Sequence, residues 1–139
     1  MKMKELFDRG EFVVSAEVGP PKGIHVDELV EEAKTYLKGV HAVNVTDNQS
    51  SVMRLGSLAM CKVLKDAGMD PIFQLACRDR NRIALESDLL SAAMLGIENI
   101  LCLTGDHTKM GDHPQAKPVF DLDSCLLYTS DAADEEDSV

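Results

Sequence analysis

Two carboxylates stand where the surrounding text gives a carboxylate little to do. Glu17 lies in SAEVGPP, residues 15–21, inside the apolar run FVVSAEV, which reads as a buried strand ahead of a Gly-Pro-Pro corner. Asp106 follows the apolar stretch ILCLTG directly. A partly desolvated carboxyl has a raised pKa, which suits it to give up a proton near neutral pH. The competing reading of Glu17 is an ion pair with Arg78 or Arg80, and residue type alone does not separate the two. Asp106 could accept a hydrogen bond from a ligand that Gly105 lets come close. Gly-Asp after a strand is also ordinary turn chemistry.

Other reactive side chains point elsewhere. RDRNR, residues 78–82, could grip a phosphate, but pairing with Asp79, Glu86 and Asp88 on a solvated face is the favoured reading. Asn81 is placed to cap the helix that follows. His107 and His113 flank a glycine-containing loop with no third ligand at metal-binding spacing, so no metal is expected. Cys61, Cys77, Cys102 and Cys125 form no CxxC pair and read as reduced thiols. Met53, Met60, Cys61 and Met94 read as core packing.

The elements that must position these residues form a repeat. Strand-like runs cover residues 12–18, 42–45, 71–76 and 100–103. Between them apolar residues recur at helical spacing: Val26, Leu29, Val30, Ala33 and Leu37; Val52, Leu55, Ala59 and Val63; Leu85, Leu89, Ala92 and Leu95. Each helix stops at a glycine, Gly39, Gly68 or Gly96, the residue that tolerates a left-handed conformation past a helix end. Strand tips recur about every 29 residues, the size of one strand-helix unit. The predicted fold class is α/β with parallel strands: a partial TIM (β/α)8 barrel, its first four strand-helix units. An open doubly wound sheet is the competitor, but the first strand-helix turn lacks GxGxxG. Alternation places Val13, Ser15 and Glu17 on one face and Phe12, Val14 and Ala16 on the other. The outward face of a barrel meets helices, so Glu17 is expected in the lumen near its mouth. The C-terminal strand ends read SAEVGPP, NVTDNQSS, QLACRDRNR and LTGDH; all are polar, while the opposite ends are bland, and that asymmetry marks a site.

Composition bounds the partners. The net charge of −10 disfavours nucleic acid and anionic membranes. No run is apolar enough to span a bilayer, and the charged N-terminus does not resemble a signal peptide, so a cytoplasmic location is expected. The last fifteen residues, CLLYTSDAADEEDSV, hold five acids and no Lys or Arg; without them 19 acids face 14 bases, a net charge of −5. Their first eleven residues match a translation of the transposase adapter used in sequencing libraries. Residues 125–139 are therefore read as a non-native tail, with a genuine disordered acidic tail as the alternative, and residues 1–124 as the N-terminal half of a longer barrel.

Five segments in register, SAEVGPPKG, VNVTDNQSSVMR, QLACRDRNRIALESDLL, LGIENILCLTGDH and KPVFDLDS, resemble the methylenetetrahydrofolate reductase family over residues 12–124. The resemblance implies a TIM barrel that uses FAD and NAD(P)H to reduce 5,10-methylenetetrahydrofolate to 5-methyltetrahydrofolate. It makes Glu17 the catalytic acid that helps open the methylene bridge, and sets Asp106 beside flavin and folate. It assigns Thr46, Gln74, Thr104, Gly105 and Asp106 to the flavin site; Gln74 stands where many members have His, and Thr104 where Arg is common. Four strands cannot close a barrel, so the chain alone is expected to lack reductase activity. Alternative readings are a reductase module fused to a homocysteine methyltransferase, a different TIM-barrel enzyme, and a non-catalytic half-barrel that binds a partner. A homo-oligomer and an electron-donating partner subunit both stay open.

Overall fold

The computed structural model describes residues 1–129. Its elements are α1 (Met3–Asp8), β1 (Ser15–Val18), α2 (Asp27–Tyr36), β2 (Ala42–Val45), α3 (Ser57–Asp66), β3 (Pro71–Ala76), α4 (Arg82–Met94) and β4 (Asn99–Leu103). The strands are all parallel in the order β1-β2-β3-β4. Each crossover carries a helix, which is what parallel neighbours require. This is a partial TIM barrel: four parallel strands joined by three helical crossovers, with β1 and β4 as edges.

Register divides the sheet into two faces. Glu17 lies opposite Asn44, Asn44 opposite Ile72, and Gln74 opposite Leu101. These residues share the inner face with Ser15 and Ala76. Val18, Val43, Val45, Phe73 and Leu75 take the other face and are buried with Val30, Ala33, Met60, Cys61, Leu64, Leu85, Leu89 and Ala92 from the helices. Each large side chain sealed there contributes about 1.5–3 kcal/mol of burial free energy. Cys61 and Cys77 are buried free thiols in this layer. Burial, reinforced by the charge of Asp47, pushes the Cys61 thiol up to about 12.

Two boundaries differ from the sequence reading. The first strand begins at Ser15, not at residue 12, and Phe12 is 87% exposed. The amide of Val14 donates to His41 Nδ1 (3.0 Å), so a side chain takes the place of a ladder bond and regular pairing starts one residue later. Helix α3, expected to start at Val52, begins at Ser57, because Val52 (φ −97, ψ 126) and Gly56 (φ −58, ψ 136) are not helical and the residues before them include Asn48, Ser50 and Ser51 at positive φ. Val52 and Leu55 are thus loop residues, and the helix buries Ser57, Met60, Cys61 and Leu64 rather than Ala59 and Val63. Met60 and Cys61 are core, but Met53 and Met94 are 52% and 80% exposed. Met53 sits in that loop, and Met94 lies off the stripe by which Leu85, Leu89 and Ala92 face the sheet. The cap at Asn81 is as expected, its side chain accepting from the Ala84 amide (3.1 Å).

Helix α1 has no counterpart in the sequence reading. It packs at the N-terminal ends of the strands, where the Met3 amide donates to Asn99 Oδ1 (2.8 Å) and Leu6 is buried. At the other end of the chain, Asp123 accepts from the Leu126 amide (2.8 Å), and Leu127 is buried in the core. Of the stretch set apart as a tail, residues 130–139 lie outside the described residues.

Asp121 fastens the returning chain to the start of α4. It accepts from the Arg82 guanidinium (2.8 Å) and the Arg82 amide (3.0 Å), and these bonds lower its carboxyl from 3.8 to about 2. A depressed carboxyl stabilises the fold above its unfolded pKa and loses that effect as pH falls through the folded one. Thermal melts of the wild type and Asp121→Asn should differ at pH 6 and converge between roughly pH 4 and 2. A difference that persists at pH 2 would show that the pair does not act through this ionisation.

Candidate active site

The rim at the C-terminal strand ends is built on Asp47, two residues past the end of β2. Its side chain has no solvent exposure. It accepts from the Ala76 amide (2.8 Å) and from both terminal nitrogens of Arg80 (2.6 and 3.2 Å). Arg80 also meets the Ala76 carbonyl (3.1 Å) and Asp88 (3.0 Å). Burial works against its charge, but Asp47, Asp88 and Asp79 together hold Arg80 above its usual pKa.

Arg78 is 2% exposed. It forms a fork-to-fork pair with Asp79 (2.9 and 2.7 Å) and donates to the carbonyls of Asp106 (3.3 Å) and Asn48 (3.2 Å). Burial raises the Asp79 pKa, but Arg78 outweighs it and holds the carboxyl below its ordinary value. Arg78 and Arg80 therefore pair with Asp79 and Asp88, as expected, but beneath the rim rather than on a solvated face, while Arg82 pairs with Asp121. The partners of Arg80 include Asp47, which the sequence reading passed over. Its signal was an acid two residues past an apolar strand tip, in NVTDNQ.

Neither guanidinium reaches Glu17, so the ion-pair reading of that carboxylate falls away. Glu17 stands on the inner face of β1, level with Asn44. It is exposed rather than partly desolvated, because these four strands wall only one side of the lumen. Next to it runs a polar ladder: Asn44 Nδ2 donates to Ser15 Oγ (3.5 Å), and Gln74 Nε2 donates to Asn44 Oδ1 (3.3 Å). Gln74 is buried.

Thr46 is buried at the β2 tip, and its Oγ1 has no hydrogen-bond partner. Buried hydroxyls are almost always satisfied, so an orphan at a strand end suits a group that is supplied by a ligand. Gly105 adopts φ +94, and a β carbon there would lie 3.1 Å from Arg78 Cβ. The glycine is thus required by the chain's own packing as well as by its turn. Asp106 is exposed at the β4 end, and Thr104 Oγ1 accepts from the Ser124 amide (3.1 Å). Glu17 lies on the edge strand β1 and Asp106 in the loop past the other edge strand, β4.

The loops above the rim interlock. Asp112 accepts from the Met53 amide (3.1 Å) and Lys22 (3.2 Å) and lies 2.9 Å from His113. The His113 bond leads in driving Asp112 well below the carboxylate range. A β carbon on Gly111 would overlap the Ser51 carbonyl. A cleft of about 260 Å³ lies between these loops, lined by Asn48, Ser51, Arg78, Asp79, Thr108 and His113 among others. His107 Nδ1 accepts from the Lys109 amide, and His113 is engaged by Asp112. Among the described residues no three His, Cys, Asp or Glu side chains are grouped to hold a metal.

Parallel strands with a polar C-terminal rim and an apolar outer face define an α/β enzyme domain of the TIM-barrel type. A model of the methylenetetrahydrofolate reductase family matches residues 2–128, and the chain belongs to that family of oxidoreductases of one-carbon metabolism, which bind FAD and act on folate. No curated protein matches the chain. No helix among the described residues is long and apolar enough to cross a membrane.

Asp47→Ala would strip Arg80 of its buried partner and leave the Ala76 amide unsatisfied. It should cost on the order of 3 kcal/mol in urea denaturation. Asp88→Ala, at a partly exposed pair, should cost less than about 1 kcal/mol. Equal losses would show that Asp47 is not the anchor of the rim.

Proposed function

We propose that the protein reduces 5,10-methylenetetrahydrofolate to 5-methyltetrahydrofolate with bound FAD and NAD(P)H as electron donor. The reading rests on one observation: within the span matched to the family, Glu17 and a polar ladder occupy the inner sheet face below a rim carrying Thr46, Gly105 and Asp106. The orphaned Thr46 hydroxyl is the feature that fits a bound flavin, with Gln74, Thr104, Gly105 and Asp106 completing the near wall. The flavin, when bound, supplies hydride transfer between nicotinamide and folate.

The chain's own residues handle the proton and the placement. Glu17 holds a proton for the folate nitrogen that leaves the methylene bridge, so that the bridge opens to an iminium able to accept hydride. Asp106 accepts a hydrogen bond and so orients the bound ring. Residues 1–124 are the part assigned to this barrel, with 125–139 set aside as foreign text. Four strands leave the far wall open, so on this reading the 139-residue chain alone binds flavin weakly and does not turn over. The protein acts in the cytoplasm and needs neither nucleic acid nor membrane.

The test is Glu17→Gln in the flavin-loaded reductase. Reduction of the flavin by NAD(P)H should continue, while folate reduction falls by about 10²–10⁴, the usual weight of a general acid. Unchanged folate turnover would remove Glu17 from the chemistry. Absence of bound flavin from the wild type would overturn the whole reading.

A further inference from the structure

A guanidinium is seldom as buried as that of Arg78, and its ion pair does not require it. Asp79 is the next residue in the chain and its side chain is 35% exposed, so the two could pair in solvent. Burial instead serves the two remaining bonds, to the carbonyls of Asn48 and Asp106. These oxygens belong to the loops after β2 and β4, while Arg78 follows β3. One side chain thereby ties three successive strand ends. It also packs on the turn that carries Asp106: a β carbon on Gly105 would lie 3.1 Å from Arg78 Cβ and 3.3 Å from Nη1. Asn48 is held in a left-handed conformation (φ 44), which aims its carbonyl at the same guanidinium.

We propose that Arg78 is a positioning residue for the reductase site: by fixing the Asp106 carbonyl and the Gly105 turn, it sets the direction of the Asp106 side chain. A planar fork can serve Asp79 and two carbonyls in fixed directions, whereas a lysine offers a single point charge on a flexible stem. The proposal rests on the role given to Asp106 above.

Two measurements separate the proposal from that role. In the first, hydrogen exchange is followed in the 139-residue chain. Arg78→Gln should speed exchange in residues 104–107 and 48–51 by roughly tenfold, with β3 amides still protected and Arg78→Lys intermediate. Unchanged exchange in both variants would overturn the proposal, and general loss of protection in both would show a purely structural role and overturn it too. In the second, the flavin midpoint potential and steady-state kinetics are measured in the flavin-loaded reductase. Arg78→Gln should shift the potential in the same direction as Asp106→Asn and lower kcat with little change in KM. A potential moved by Asp106→Asn but not by Arg78→Gln would overturn the positioning role. If Asp106→Asn itself leaves the potential unmoved, the reading of Asp106 fails, and the exchange result still decides whether Arg78 orders the turn.

Discussion

Removing a carboxylate from water costs several kcal/mol unless donors surround it. Asp47 meets that condition at the point where β2 ends, and the rim follows from how it does so. Its acceptors are filled by the amide at the end of β3 and by the fork of Arg80. Arg80 in turn reaches Asp88 on α4. The end of β2 is thus tied through one charge to the end of β3 and to α4. The placement also fixes what lies on either side of it. Thr46, one residue earlier, is held at the sheet end with its hydroxyl unpaired, and Asn48, one residue later, turns into the left-handed region.

The two sheet faces divide the labour. The outer face is apolar and sealed by helices, and it carries the burial free energy. The inner face carries Ser15, Glu17, Asn44 and Gln74, side chains that would be costly in a core. A parallel strand buried on both sides would be apolar throughout. The polar inner residues of β1 and β2 therefore mark a face left out of the apolar core.

Much of this could be read from the chain as text. Strand-helix alternation with glycine stops gave the four units, since both signals are local and periodic. The polar strand ends gave the rim, because parallel architectures put loops of one kind at one end. Errors arose where a long-range contact overrode a local pattern. Val52 and Leu55 continue a helical period, but the left-handed residues before them belong to a loop braced by Asp112. Residues 12–14 continue a strand alternation, but the His41 ring interrupts the ladder. The burial of Arg78 and Arg80 was hidden for a similar reason. A run of arginines and aspartates looks solvated until the sheet register sets Asp47 beside it. Helix α1 is short and charged and is recognised only through its contacts with Asn99 and the strand bottoms.

The meeting of Gly111 with Ser51 has a mechanical consequence. With no room for even a methyl group between them, the loop after β2 and the loop after β4 cannot slide past one another. Lys22 and the Met53 amide, both bound to Asp112, join the loop after β1 to the same block. These loops then behave as one plate rather than as separate flaps. The cleft lined by Asn48, Ser51, Thr108 and His113 interrupts that plate.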